Sequence, residues 1–326
     1  MRTPSVTVIL PAKDAGAFIG TTLETLLRQF DDPAALKLVA IDDGSSDDTG
    51  AQMRRYAERF AHAEVLVNPR PVGLATARNQ GLAHVEGEAF CFVDGDDWMQ
   101  PRRLQVLADR LRALDCDFVR TDHVRVAGTE RTLVRAPFAW RGVVASPREA
   151  ILPADDTTMV DYPYAWAGIF HRSLIDRGLA AFPDGLFTAE DRPWIWRLHL
   201  NADTFAVVDA PALLYRRGVS TSLTRVHDRR QLDFARSLSQ VIDIVEQDAE
   251  AQRFLPKAVW TALALSSHHL VRSRQMTPRL RAEMRGGIRE LLRRLPAAEV
   301  AAVLDDFSGA RRRVLARSLR GAGRAA

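Results

Sequence analysis

Three aspartates fall within four positions in Phe92-Val93-Asp94-Gly95-Asp96-Asp97-Trp98, directly after an apolar run. Carboxylates this close repel one another, and a hard divalent cation relieves the repulsion. Mg²⁺ or Mn²⁺ would then complete its shell with substrate phosphates. The same cluster also suits the start of the helix expected from Pro101, because a helix N-terminus favours negative charge. Asp42-Asp43-Gly44-Ser45 repeats the arrangement after an earlier apolar run. A carboxylate there can accept hydrogen bonds from a base or ribose, or simply end a turn. Gly73-Leu74-Ala75-Thr76-Ala77-Arg78-Asn79-Gln80-Gly81 combines small residues, which permit close helix packing, with an arginine able to meet an anionic ligand. Glu190-Asp191 opens a further apolar stretch. A positioned carboxylate of this kind can act as a general base, or be a solvated helix start.

The elements that must position these groups alternate between two periods. Strands are expected at Val6–Leu10, Lys37–Ile41, Glu64–Val67, Ala89–Val93 and Asp117–Thr121. Between them, helices are expected at Ala17–Phe30, Ala51–Phe60, Gly73–His84 and Pro101–Leu114, the second opened by Ser46-Asp47-Asp48-Thr49. The alternation predicts an α/β fold with a mostly parallel sheet flanked by helices. In such sheets ligands sit beyond the carboxyl ends of the strands. Those ends carry Pro11-Ala12-Lys13-Asp14, Asp42-Asp43 and Asp94-Gly95-Asp96-Asp97, so acids converge on one rim. Residues 125–225 are irregular and hold Trp140, Trp166, Trp194 and Trp196. From Arg229 the spacing of Phe234, Leu238, Val241, Ile242 and Val245 predicts helix, as do Val259–Leu270 and Ile288–Leu295.

With 326 residues, 47% hydrophobic, the chain can bury a large core. No apolar run approaches the ~18–20 residues needed to span a bilayer. The opening Met1-Arg2-Thr3-Pro4 has no apolar signal segment. Cys91 and Cys116 make neither a disulfide framework nor a four-ligand zinc site, so a cytoplasmic location is expected. The net charge of +4 divides unevenly, −4 over residues 1–225 and +8 over 226–326, with six arginines and no acid in the last stretch from Ser308.

Taken together, the order and spacing of these segments resemble family 2 glycosyltransferases of the GT-A fold. The matching text is Val6–Pro11, Ile41-Asp42-Asp43-Gly44-Ser45, Gly73 to Gly81, and Phe92 to Trp98 with Pro101 and Leu104. Further on, Ala165-Trp166 with Ile169–Leu174, Phe187–Pro193 around Glu190-Asp191, and Leu214-Tyr215-Arg216-Arg217 with Ser220 continue the likeness. It covers residues 4–225. The resemblance implies a catalytic domain over 1–225, with a nucleotide-binding half at 1–121 and an acceptor half at 122–225. Residues 226–326 are a separate helical region with a basic tail. It also implies roles. Pro11, Lys13, Asp43, Arg78 and Asp94 would line the nucleotide-sugar pocket. Asp94 and Asp96 would hold Mn²⁺ or Mg²⁺. Asp191, beside Glu190, would be the general base. Trp166, Arg192 and Arg216 are acceptor-side candidates, and Trp194 is a second candidate for stacking on a sugar. Two positions depart from the family pattern: Lys13-Asp14 stands where Tyr-Asn is common, and Pro71 where an asparagine is usual, with Asn68 as its substitute.

The expected reaction moves a sugar from a nucleotide-sugar, a UDP-sugar by resemblance, to a glycan or polyol-phosphate polymer with inversion. Family likeness to bacterial cell-wall polymer enzymes suggests that acceptor. A nucleotidyltransferase acting on sugar phosphates shares the acidic motif and the metal. A polyanion-binding protein with a degenerate site, acting through the basic tail, is the other alternative. A dinucleotide oxidoreductase is disfavoured, because Pro11–Ala17 lacks the glycine pattern that follows the first strand. No nucleic-acid partner is expected. The apolar stripes of the helical region need a cover, either the catalytic domain or a second copy. Oligomerisation through 229–300 is the expectation, with the Arg-rich end near the inner face of a membrane.

Overall fold

A computed structural model describes residues 4–218, 228–307 and 309–319. Ser220 and the last part of the basic tail lie outside them. The first half alternates β1 (Val6–Ala12), α1 (Ile19–Leu26), β2 (Leu36–Asp42), α2 (Thr49–Ala57), β3 (His62–Val67), α3 (Leu74–Leu82) and β4 (Ala89–Phe92). Next come β5 (Trp98–Met99), α4 (Arg103–Leu114), β6 (Phe118–Arg120), β7 (His123–Ala127), β8 (Glu130–Val134) and β9 (Gly168–His171). They are followed by α5 (Ser173–Asp176), α6 (Asp191–Asn201), β10 (Phe205–Val207) and β11 (Leu213–Arg216). The rest is helical: α7 (Asp233–Glu246), α8 (Ala251–Arg272), α9 (Pro278–Arg294), α10 (Ala297–Asp306) and α11 (Gly309–Leu319).

Every residue of β1 and β2 is buried, as their mainly apolar runs require when helices cover both faces of a sheet, and the buried Lys37 is answered by Glu64 and Glu86 at 2.6 Å. The main sheet runs β10-β6-β9-β4-β1-β2-β3. Its pairs are parallel except at β9, which runs against both β4 and β6. A smaller sheet, β5-β11-β7-β8, stands beside it. The mixed α/β architecture, with a helical region at the C-terminal end, agrees with the sequence reading. α2 begins at Thr49, where Asp47 accepts a hydrogen bond from the Thr49 N–H at 3.0 Å. α3 rests directly on β1 because Gly81 has no side chain, and a Cβ there would lie 2.4 Å from Ile9 Cγ2.

The α7 stripe of Phe234, Leu238, Val241, Ile242 and Val245 is buried against α6, α8 and α9. Of the two covers anticipated for the helical stripes, α7 thus uses surfaces of its own chain. Polar ties also fasten the helical region to the preceding part of the chain: Arg148 grips Asp248 at 2.6 Å and Glu250 at 2.7 Å. The wholly buried Lys257 of α8 reaches Asp161 at 2.5 Å. Among the described residues no helix is long and apolar enough to cross a membrane.

Candidate active site

The carboxyl ends of β1, β2 and β4 open into a cleft of about 1050 Å³. Pro11, Lys13, Asp43, Arg78, Asp94, Asp96, Trp166, Glu190, Asp191, Arg192 and Arg216 all line it. The topology explains the gathering. Parallel β1, β2 and β4 finish on one rim. Because β9 is reversed, its beginning lies at that rim, so the preceding Tyr164-Ala165-Trp166 lands beside Asp94. A smaller hollow of about 280 Å³ lies near the start of β1 and β4. Two of its charged groups, Arg112 and Glu88, pair with each other.

Asp43 is buried and its hydrogen bonds go to the protein. Oδ1 accepts from Asn68 Nδ2 at 2.9 Å and from the Val72 N–H at 2.8 Å, and Oδ2 accepts from the Gly73 N–H at 3.0 Å. This carboxylate shapes the 68–73 loop and still faces the cleft. Gly73 takes φ +95, which favours glycine, as it turns into α3. Of the predicted set, Asn68 is the residue the structure does not bring to the wall. It sits behind Asp43 and exchanges two 3.0 Å bonds with Gln80.

Arg78 is 3% exposed and bridges two acids: Nη2 donates to Asp94 at 3.0 Å and Nη1 to Glu190 at 3.0 Å. Burial opposes its charge, but Asp94 and Glu190 outweigh that and hold it protonated. The guanidinium lies over Phe182 at 5.0 Å. Its two bonded arms thus tie the metal-candidate rim to the turn bearing the base candidate. Lys13 pairs with Asp14. Asp14 also accepts from the Ser46 N–H at 2.7 Å, which locks the end of β1 to the loop before α2.

Glu190 and Asp191 open α6. Burial raises both carboxyls, Glu190 to about 7, with the Asp191 charge adding to the rise and Arg78 opposing it. Ala189, just before them, is held at φ +60, a strained conformation for a residue with a Cβ. Ser237 of α7 donates to its carbonyl at 2.6 Å. A strained turn fixed from a separate helix is a means of aiming a side chain.

On the opposite rim, burial and the Asp94 charge raise the Asp96 carboxyl to about 6. Asp97 is almost wholly buried and is raised further by burial and by both neighbours. Its Oδ1 accepts from the Arg216 N–H at 2.7 Å, while Oδ2 has no protein partner. Burial and mutual repulsion thus penalise the ionised forms of Asp96 and Asp97, a penalty that a bound cation would relieve. The Asp94 and Asp96 oxygens facing the cleft fit Mg²⁺ or Mn²⁺, ions that need only one or two carboxylates when phosphates complete the shell. Among the described residues no three His, Cys, Asp or Glu side chains form a closed metal cage.

Trp166 lies in an aromatic wall, stacked 4.8 Å from Tyr164 and tilted against Tyr215 at 5.0 Å. Arg216 is sandwiched between Trp98 at 4.4 Å and Phe18 at 4.8 Å, and its Nε donates to the Asp96 carbonyl at 2.8 Å. Trp194 corrects an expectation. It is 1% exposed, donates to the Ala180 carbonyl at 3.1 Å and stacks on Phe182 at 4.9 Å, so it belongs to the core and cannot meet a sugar. Sequence reasoning missed the side chains that α8 adds to the cleft, among them His268, His269 and Arg272. A run of helical apolar spacing does not reveal which polar residues will face a distant rim.

Residues 7–180, just over half of the chain, match the family described as Glycosyl transferase family 2. The chain is 27% identical over 232 residues to the uncharacterized glycosyltransferase EpsJ of Bacillus subtilis (strain 168), covering 71% of this chain and 66% of EpsJ. To the putative glycosyltransferase EpsH of the same organism it is 26% identical, spanning 64% of that protein. The match thus spans just under two thirds of these relatives' length. It is 23% identical over 210 residues to the poly(ribitol-phosphate) beta-N-acetylglucosaminyltransferase TarS of Staphylococcus aureus, covering 64% of this chain and 35% of TarS. The solved structure of S. aureus TarS 1–349 with UDP-GlcNAc superposes with a TM-score of 0.77 at 19% identity, over 97% of this chain and 88% of that one. The mannosyltransferase PcManGT of Pyrobaculum calidifontis, with GDP-Man and Mn²⁺, gives 0.53 at 19% identity, over 99% of this chain and 87% of that one. With the GT-A fold, the acidic rim and this match in hand, the chain belongs to glycosyltransferase family 2.

Proposed function

We propose that the protein transfers a sugar from a nucleotide-sugar, a UDP-sugar, to a hydroxyl of a polymer acceptor, with inversion at the anomeric carbon. The observation that carries this reading is the cleft itself, with an acidic rim at the ends of β1, β2 and β4 and the raised Glu190–Asp191 pair on another wall. Family membership favours glycosyl transfer over nucleotidyl transfer and over a pure polyanion binder. The UDP-GlcNAc bound to TarS supports a uridine donor, and the TarS name supports a polyol-phosphate acceptor.

In this reading Asp191 takes the proton from the acceptor hydroxyl, a step worth about 10²–10⁴ in rate. Arg78 holds Asp94 and Glu190 in register, and Asp43 keeps the 68–73 loop in shape against the nucleotide. Trp166, Arg192 and Arg216 serve the acceptor side. Mn²⁺ or Mg²⁺, held by Asp94 and Asp96, would offset the charge that grows on the departing diphosphate. The Mn²⁺ of PcManGT supports that choice of ion. The two buried free cysteines support a cytoplasmic setting. The excess of arginine toward the C-terminus supports contact with the inner face of the membrane. Self-association through the helical region remains part of the proposal, to be read by sedimentation.

The test is a thermal-shift panel of nucleotide-sugars with and without Mn²⁺, since a ligand of the folded state raises its stability by mass action. A shift with a UDP-sugar that needs Mn²⁺ and disappears in Asp96→Ala supports the reading. A panel negative for nucleotide-sugars but positive for a nucleoside triphosphate overturns it.

A further inference from the structure

The proposed transfer needs Asp191 to meet the acceptor hydroxyl, and the inference that follows rests on that reading. The acid pair stands at the end of an irregular stretch. The near end is held by α3, where Asn79 exchanges bonds of 2.9 and 2.8 Å with the Phe182 backbone. The far end is held through Glu190, which accepts from Arg78. Between them, 185–189 is tied to the helical region. Arg236 donates to the Gly185 carbonyl at 3.2 Å, and Asp233 accepts from the Phe187 N–H at 2.8 Å. The Thr188 hydroxyl donates to the Arg230 carbonyl at 2.7 Å, and the Ser237 hydroxyl to the Ala189 carbonyl at 2.6 Å. On its other side the stretch leans on the 68–73 loop, where a Cβ on Gly73 would lie 3.4 Å from the Phe187 ring.

Of these ties, the one at Ala189 bears most directly on Asp191. Ala189 is held at φ +60, a conformation that a residue with a Cβ keeps only where its surroundings enforce it. Its carbonyl also accepts from the Arg192 N–H at 3.2 Å, which closes the first turn of α6 around Glu190 and Asp191. The Ser237 hydroxyl meets that same oxygen from a wholly buried place on α7. One carbonyl thus fixes the peptide from which the acids depart, and a group on another helix fixes the carbonyl. Without that hydroxyl the strained turn is freer to relax, and the acids move with it. A shift of about 1 Å at a reacting group can cost about 10²-fold in rate.

We propose that Ser237 is a positioning residue for the transfer. Its hydroxyl sets the Ala189–Glu190 peptide and so the place of Asp191, which makes the helical region a working part of the active site although it supplies no reacting atom. The role has a specific signature. Loss of the hydroxyl slows the chemical step and leaves the donor held as before, because Asp43, Asp94 and Asp96 follow the strand ends and stand apart from the 185–189 turn.

The experiment compares the full chain with Ser237→Ala and with Val241→Ala, a change at a wholly buried residue of the same helix that loosens α7 without removing a bond to the turn. Amide hydrogen exchange over 185–192 is read first, with no ligand. Ser237→Ala should speed it about tenfold or more, and Val241→Ala should act on α7 and α8 instead. Unchanged exchange over 185–192 in Ser237→Ala overturns the proposal. Turnover is then read as UDP released from UDP-GlcNAc with Mn²⁺ and poly(ribitol phosphate). Ser237→Ala should lower kcat about 10–100-fold while the KM for UDP-GlcNAc and the UDP-induced thermal shift stay as in the parent. A raised KM with kcat kept overturns the proposal, as does an equal loss of kcat in Val241→Ala. In the Asp191→Asn background Ser237→Ala should cost nothing further; a second loss of the same size overturns the proposal, because Ser237 would then act through another group. Asp191→Asn at the parent rate sinks the base reading and the proposal together, whereas Ser237→Ala at the parent rate beside an inactive Asp191→Asn sinks the proposal alone. A parent protein that releases no UDP counts against the donor and acceptor, and the exchange over 185–192 then decides the role of Ser237.

Discussion

At the scale of single residues, the cleft depends on which carboxylates are free to react and which are spent on the protein. Asp191→Asn keeps the shape and the donor contacts but loses the proton acceptor. Transfer should fall about 10²–10⁴-fold while the donor-induced thermal shift is unchanged. The raised pair also sets a pH dependence. A base works when ionised, and burial raises these carboxyls, Glu190 to about 7. The single-turnover rate should therefore climb as pH rises from about 6 to 8 and level off above, the limb belonging to the coupled pair. Glu190→Gln should move the limb to lower pH, and a profile flat between pH 6 and 8 would remove Asp191 from the base role. Asp43→Ala strips acceptors from the Val72 and Gly73 N–H groups and from Asn68. It should cost about 2–3 kcal/mol in urea unfolding as well as donor affinity. The acids themselves were legible in the sequence, because three within four positions after a buried strand stand out against any helix or strand period. Their partners were not. Arg78 reaches Glu190 across 112 positions, and no local pattern encodes a contact made that far along the chain.

At the scale of elements, the first four strands and the helices between them were readable, because β1, β2 and β4, buried on both faces, are mainly apolar runs, and the helices carry a stripe. Boundaries moved where local geometry overrode the period. α1 stops at Leu26 rather than Phe30, and Gln29 turns its side chain to cap the Leu104 N–H at 3.0 Å. The second sheet and the reversed direction of β9 were not readable. Strands of two to five residues offer too few alternations to show a period, and direction is fixed by neighbours. Gly81 tests the α3–β1 contact. Gly81→Ala drives a methyl to within 2.4 Å of Ile9 Cγ2, so despite the better helix propensity of alanine it should destabilise by about 1–3 kcal/mol in urea unfolding. A gain in stability would mean that α3 rides more loosely on the sheet than the packing indicates.

For the whole molecule, the charge division between residues 1–225 and 226–326 was visible in composition, but not that α8 would bring His268, His269 and Arg272 to the same cleft as the acidic strand ends. Nor could the sequence decide what covers the α7 stripe, since an apolar face fits a second copy as well as its own chain. Removing 229–326 would uncover the faces of α6 against which α7 packs and would break the Arg148–Asp248 and Lys257–Asp161 ties. It would also take away Ser237, which holds the Ala189 turn. The truncated chain should melt at least about 10 °C lower or fail to remain soluble. It should also lose transfer even at temperatures where it stays folded. A truncated protein with the parent melting temperature would show that the helical region is an independent appendage.

The reversed strand also bears on assembly during synthesis. β6 leaves the ribosome well before β9, yet in the finished sheet β9 lies between β4 and β6. Until the later strand is made, the growing chain exposes the edge of β4, and β6 is at hand as a plausible but wrong partner in parallel orientation. The nascent protein must therefore leave a gap and fill it afterwards. Translation pauses or chaperone capture between residues 120 and 168 would act on that unfilled seam.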